Sequence, residues 1–433
     1  ANVNLKKNND RLSLSMQKLS SGYKITKAAD DSAGLAISNK MRTQIRALDR
    51  SAQNAEDGVS IIESADGALA EIHSVLQRVR ELCVQNANDT YTLEDRKTSQ
   101  EEIDQLMDEI DRISSTTEFN GRSLFDGSAS RTVASSIDGV KALSVSMEAT
   151  AGTYTITKAE SGTCGKVAGV LKGVTFPAAA DKSISINSET IAINKGDSKA
   201  DVEKKIVSAC SSMNLSYDTA KETVTSNVAG YDYYVQVGFA DGSKSKLDDG
   251  RGTDAKVELK TVQTGVGFTA NAKVSASGNK INIIDNDGFE MNVELPTTDG
   301  NSKTYNNIAF DVYDAGFMTI QIGANEHQTL DMDLPTVSCD VLGLRNEDGK
   351  NLLNVCTNYG ASTGIALADS AIRQISSARA ELGAYQNRLE TTVSSLNVFG
   401  ENMTESMSRI IDTDMASEMT EYTQQEVLSQ AAI

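Results

Sequence analysis

The sequence predicts an α+β protein in which long antiparallel helical arms from both termini form a coiled-coil bundle, with a central β-rich insert. Three observations carry this. All three prolines, Pro177, Pro296 and Pro335, and most of the glycines fall between about residues 121 and 360, so the flanks are free of proline and can hold long helices. Apolar residues recur every seven positions in both flanks, the a/d seam of a coiled coil. The middle alternates apolar with polar residues around turn signals, the period of half-buried strands.

In the first arm Leu5, Leu12, Met16 and Leu19 follow at helical steps until Ser20-Ser-Gly22 breaks the pattern. Asp30-Asp-Ser32 then offers an N-cap for a second helix, in which Leu48, Ala55, Ile62, Leu69, Leu76 and Cys83 hold a seven-residue spacing. A third, shorter helix carries Ile103, Leu106, Ile110 and Ile113. The C-terminal arm is stricter, with Ile375, Leu382, Leu389, Leu396, Met403 and Ile410 in one row and Ala371, Ala378, Tyr385 and Phe399 in its companion. At ~1.5 Å per residue such helices are on the order of 70 Å long. Residues 1–20 and 401–433 are amphipathic yet reach past the third helix, so they need further partners. Charge favours pairing of the two ends. Residues 1–50 hold ten Lys/Arg against four Asp, and residues 400–433 hold seven Asp/Glu against Arg409 alone.

In the middle, Tyr231, Tyr233, Val235, Val237 and Phe239 read as a strand running into Asp241-Gly242. Ile281–Ile283 and Phe289–Leu295 read as a hairpin around Asn286-Asp-Gly288. Ile184 and Ile186, then Ile191 and Ile193, precede a turn at Lys195-Gly196. A helix follows, capped by Ser198 with Asp201 and buried through Val202, Ile206, Cys210 and Met213, and Leu215 and Tyr217 start a return strand. No cluster of carboxylates or aromatics in this insert singles out a ligand site.

Composition excludes several functions. The 433 residues carry a net charge of −19, so a nucleic-acid partner is not expected. His73 and His327 are the only histidines, which leaves no raw material for a histidine zinc site or a His-dependent triad. Gly162-Thr-Cys-Gly165-Lys166 fails the phosphate-loop spacing because position 160 is Glu. The expectation is no enzyme, no catalytic residue, no metal and no cofactor. Cys83, Cys164, Cys210, Cys339 and Cys356 are scattered and odd in number, which suits buried reduced thiols better than a disulfide framework. No run of 18 apolar residues supports membrane insertion, and the N-terminus lacks the apolar core of a Sec signal. An extracellular location would then require another export route.

Particular residues carry a resemblance. Lys18-Leu-Ser-Ser-Gly22, Ala28-Ala-Asp-Asp31 and Ala33-Gly-Leu-Ala-Ile37 closely resemble the N-terminal signature of bacterial flagellin. So do Gln77-Arg-Val-Arg-Glu-Leu82, Glu109-Ile-Asp-Arg112, Glu118-Phe-Asn-Gly121 and Gln321-Ile-Gly-Ala-Asn325. Near the other end Leu382-Gly-Ala-Tyr-Gln-Asn-Arg-Leu389 and Arg409-Ile-Ile-Asp-Thr-Asp-Met-Ala416 also look like flagellin. The resemblance covers roughly residues 1–127 and 317–433. It implies partial inner-tube helices at 1–32 and 400–433, a helical bundle with β-hairpin at 33–127 and 317–399, and a variable outward insert of one or two subdomains at 128–316. Against the family pattern the chain is expected to be truncated at both ends.

The implied function is mechanical: identical subunits polymerise into the helical filament of a swimming bacterium, through contacts that do not close into a ring. Implied partners are the chain itself, an export chaperone on the C-terminal helix, filament cap and junction proteins, and host Toll-like receptor 5. For that receptor the matching positions are Gln77, Arg78, Val79, Leu82, Gln85 and Glu102; on physical grounds Arg78 could equally pair with Glu102, and Leu82 could be core. Subunit and arm packing falls to Leu5, Leu12, Met16, Leu19, Ile375, Leu382, Leu389, Leu396, Met403 and Ile410. The implied location is the extracellular flagellum, reached by type III export. Alternatives are a hook–filament junction protein, which shares the terminal helical pattern, or a surface adhesin on a coiled-coil stalk.

Overall fold

The computed structural model describes the chain except residues 1, 147–148, 188, 232, 247–249, 263–265, 286–288, 297–301, 314–315, 346–350 and 432–433, and gives backbone only for 2–5 and 431. Six helices are described: α1 (Asn2–Ser21), α2 (Ser32–Asn86), α3 (Leu93–Thr116), α4 (Lys199–Ser212), α5 (Asn358–Ile411) and α6 (Met415–Ala431). Two compact units are formed, one by residues 1–62, 319–331 and 383–433, the other by 63–318 and 332–382.

The helix ends follow local chemistry. Gly22, at φ +75°, stops α1. Asp31 Oδ1 accepts from the backbone N–H groups of Ala33 (3.0 Å) and Gly34 (2.9 Å), capping α2. α3 and α4 both start with a complete capping box, Thr92 with Asp95 and Ser198 with Asp201. α2 and α5 are each more than 50 residues long, or ~80 Å.

In the first unit the seven-residue row is buried at Leu48, Ala55 and Ile62 of α2 and at Leu389 of α5. A Cβ on Gly58 would lie 2.4 Å from Ile320 Cδ1 and 3.1 Å from Leu389 Cδ1, so a side chain is missing where the neighbours come closest. Further along α5 the row loses cover. Leu396, Met403 and Ile410 are half-buried, and Phe399, expected in the companion row, is 55% exposed.

In the second unit Leu69, Ile72, Leu76 and Val79 of α2, Ile103, Met107 and Ile110 of α3, and Ala371, Ile375 and Leu382 of α5 are all buried. The seam of α3 thus runs through Met107 and Ser114 rather than Leu106 and Ile113, which are only half-buried. Antiparallel ion pairs Arg80–Asp369 (2.6 Å) and Arg379–Asp66 (2.7 Å) tie α2 to α5. The chain entering α5 lies along α3 and is held by polar side chains. Asp111 accepts from Cys339 N (2.8 Å), Asn351 donates to Asp104 (2.6 Å), and Gln100 accepts from Val355 N (2.8 Å). Arg345 bridges Asp108 (2.5 Å) and Asp111 (2.7 Å).

The insert contains two hydrophobic cores. Around one lie two antiparallel four-stranded sheets: Lys256–Leu259, Gly152–Glu160, Thr304–Val312 and Val133–Ser135; and Lys273–Ser277, Lys280–Ile284, Glu290–Glu294 and Lys141–Val145. Tyr154, Phe268 and Phe289 form its aromatic centre. The second core is nested within the sequence of the first. It joins Lys182–Ile186, Glu189–Ile193 and Val237–Gly238 to Cys164–Ala168, Leu215–Asp218 and Thr223–Ala229, and α4 buries Val202, Ile206 and Cys210 against it. The pairing Ile283↔Met291 matches the expected hairpin, whose turn at 286–288 lies outside the described residues. The expected strand at 231–239 is regular only at Val237–Gly238, although Val235 and Val237 are buried as the alternation requires. Asn120 and Gly121, both at positive φ, turn the two-residue strands Glu118–Phe119 and Arg122–Ser123 back on each other.

Candidate assembly and recognition surfaces

α1 and α6 pack antiparallel. Lys18 Nζ lies 3.5 Å from Glu418 Oε2, Ser429 Oγ donates to Asn9 Oδ1 at 3.2 Å, and Thr413 N donates to Gly22 O at 2.9 Å. The opposite charges of the two ends therefore meet in at least one ion pair. The inward positions are Leu12, Ser15 and Leu19 on α1 and Glu418, Tyr422 and Gln425 on α6. Met16 is not among them. It is 51% exposed, because Ser15 occupies the position nearest α6 and Met16 sits a helical step away. Leu5 lies outside the residues whose side chains are described. With Met16, the pair turns Leu14, Met415, Met419, Val427 and Leu428 to solvent, all more than 40% exposed. Exposed apolar side chains thus flank the pair on both of its helices.

The second unit carries the positions marked for a receptor. Val79 and Leu82 are buried, at 0% and 2% exposure, because they belong to the inward rows of α2. Gln77, Arg78 and Gln85 are exposed and Glu102 is half-exposed. Arg78 bridges Glu102 (2.8 Å) and Glu81 (3.3 Å), so the alternative pairing with Glu102 is the one formed, and the hydrogen bond that Arg78 donates to the Glu102 carboxylate raises the Arg78 pKa. Gln77 contacts His73 at 3.0 Å, and Gln85 donates to Tyr91 Oη at 3.0 Å.

One grouping escaped the sequence. Arg251 lies over the rings of Tyr231, Tyr234 and Tyr359 at 4.5, 5.4 and 6.0 Å. The run Tyr231–Tyr234 hints at it, but Tyr359 is supplied from the start of α5.

The five cysteines are free and buried. Burial pushes the thiols of Cys83 and Cys210 up to about 12 and that of Cys356 up to about 11, so they stay protonated at neutral pH. Among the described residues no group of His, Cys, Asp and Glu could hold a metal ion, and no helix is long and apolar enough to cross a membrane.

Comparison with known proteins bears on the same regions. The bacterial flagellin N-terminal helical region matches residues 1–130, and the bacterial flagellin C-terminal helical region matches residues 365–433. Flagellin of Clostridium tyrobutyricum is 34% identical over 434 residues, spanning 99% of this chain and 93% of that protein. Flagellin B of Vibrio anguillarum is 30% identical, spanning 96% and 88% respectively. Among solved structures, FliC from Burkholderia pseudomallei is similar over 76% of this chain and 99% of that one, at 16% identity and a TM-score of 0.26. Identity of this order across nearly the whole length, with both terminal regions matched, makes the chain a member of the bacterial flagellin family, a non-enzymatic structural subunit of the flagellar filament.

Proposed function

We propose that the α1/α6 pair presents the face by which one subunit docks on the next, with residues 1–32 and 400–433 acting as the inner-tube segments, 33–127 and 317–399 as the bundle, and 128–316 as the outward insert. The carrying observation is the uncovered apolar set Leu14, Met16, Met415, Met419, Val427 and Leu428 on helices that otherwise pair. Burying such side chains drives association in proportion to the area removed from water. An export chaperone on α6 would cover the same set before assembly, and cap and junction proteins would meet it at the filament ends. Export unfolded through a type III channel fits the absence of disulfides among the five free cysteines. In cells carrying Met419→Lys/Val427→Lys, subunits should be secreted into the medium but filaments should be absent in electron micrographs. Filaments of normal length would exclude this face, whereas loss of the secreted subunit would assign the two residues to export.

A second surface follows from the exposed polar group around Arg78. We propose that Gln77, Arg78, Gln85 and Glu102 contact Toll-like receptor 5, with Val79 and Leu82 supporting them from beneath. An arginine held in place by two carboxylates is pre-organised for an interface, and arginine is enriched among binding hot spots. Arg78→Ala should weaken binding to the receptor ectodomain by about tenfold or more. Its melting temperature should barely move, since exposed ion pairs contribute little to stability. Unchanged affinity would remove Arg78 from the contact.

A further inference from the structure

The sheet made of Lys273–Ser277, Lys280–Ile284, Glu290–Glu294 and Lys141–Val145 has one face in the insert core, through Ile281, Ile283, Met291 and Val293. Its other face carries a continuous polar rung. Ser275 pairs with Asn282, Asn282 with Asn292, and Asn292 with Ser144, so hydroxyl, amide, amide and hydroxyl cross all four strands in register. Four strands at ~4.8 Å spacing make that rung on the order of 14 Å long. Facing it are Ser370, Arg373, Gln374 and Ser377, which share one side of α5 at i, i+3, i+4 and i+7. The cleft between them has a volume of about 550 Å³ and is floored by Val341, Leu342 and Gly343, with Tyr233 in its wall. A second cavity of about 390 Å³ shares Leu143, Glu290, Asn292 and Gln374 with it and continues it along α5. The volumes fall in the range of ligand clefts.

The chemistry of the walls is that of a hydroxyl reader. Asn282 Nδ2 donates to Glu290 Oε1 at 2.5 Å, which orients the amide and leaves Oδ1 as an acceptor. That oxygen is buried and has no hydrogen-bond partner among the described residues. Buried acceptors are costly unless a donor reaches them. Asn292 Nδ2 likewise donates to Ser144 Oγ at 2.9 Å, so its own carbonyl oxygen is not consumed by that bond. Two cations, Lys280 and Arg373, and one carboxylate, Glu290, line the cleft; the Lys280 ammonium is taken up by the carbonyl oxygens of Asp340 and Arg345, and the remaining pair nearly cancels, which disfavours a strongly charged ligand. A peptide would pair with the backbone of a sheet edge. Here the wall is a sheet face that offers side-chain amides and hydroxyls, with Val341 and Tyr233 available to the apolar face of a ring.

We propose that this cleft binds a neutral oligosaccharide, read through Asn282, Asn292 and Gln374. Cellotetraose, chitotetraose and mannotetraose, titrated into the full chain, are the probes, with an uncharged Gly-Ser-Asn decapeptide as the comparison ligand. At least one tetrasaccharide should bind saturably, and Gln374→Ala and the cleft-filling Ser370→Trp should each weaken it about tenfold with circular dichroism and melting temperature unchanged. Asn292→Ala should act alike; if it proves unstable, the two α5 variants suffice, because neither residue belongs to the sheet. The proposal is overturned if none of the three sugars binds, if binding survives both α5 substitutions, or if the decapeptide binds and displaces the sugar.

Discussion

Leu389→Ala is expected to destabilise the unit built from residues 1–62, 319–331 and 383–433 by about 2–5 kcal/mol, the cost of emptying a fully buried leucine site. The site cannot collapse easily. Leu389 Cδ1 lies 3.1 Å from where a Cβ of Gly58 would sit, and Ile320 Cδ1 fills the same gap from the strand Met318–Gln321. Glycine inside a helix costs ~1 kcal/mol relative to alanine. Its presence at position 58 reflects close approach rather than flexibility, and close approach leaves little room for neighbours to relax into a void. Leu396→Ala, one heptad on and half-buried, should cost clearly less. Urea unfolding followed by far-UV circular dichroism measures both. A loss below about 1 kcal/mol at Leu389 would show that this seam does not hold the unit together.

Arg345→Met should cost the other unit about 2 kcal/mol at pH 7, less than the 3–5 kcal/mol of a fully buried pair because Asp108 remains open to water. Arg345 binds Asp108, Asp111 and Asn351 at once, and Asn351 donates to Asp104. Removing the cation leaves these acceptors facing one another. Burial already raises the Asp104 pKa, and the charge of Arg345 opposes that rise. In the variant the rise is larger. A carboxyl whose folded pKa exceeds its unfolded value holds more protons when folded between the two values, so stability increases as pH falls through that window. The deficit of Arg345→Met against the parent should therefore shrink from pH 7 towards the upper edge of the carboxylate range. A deficit independent of pH would mean that Arg345 acts by packing its stem and not by neutralising α3.

The arms were legible in the sequence because a seven-residue apolar repeat is a local signal. It requires only that the same residues recur on one side of a helix, and Leu48 through Cys83 and Ile375 through Leu389 are buried accordingly. Caps were legible for the same reason: Ser198 and Asp201 are three residues apart and need nothing distant. The strand–strand–helix–strand unit from Lys182 to Asp218 also reads from its own alternation.

Coverage was not legible. Met16 and Phe399 continue their repeats yet face solvent, because burial depends on whether a neighbouring element reaches that far, and no helix repeat records the length of its neighbour. The sequence left open whether Arg78 pairs with Glu102 and whether Leu82 is core; the placement of α3 against α2 decided both. The outer insert core, the Arg345 bridge to Asp108 and Asp111, and the Arg251 cage closed by Tyr359 join residues more than a hundred positions apart. By itself, then, the sequence determined the helical arms, their apolar rows, the β-rich middle and the flagellin family, all of which rest on neighbouring residues. The tertiary structure alone decided which of those rows are covered and which polar groups meet, since burial and charge pairing belong to the space between elements and not to any one of them.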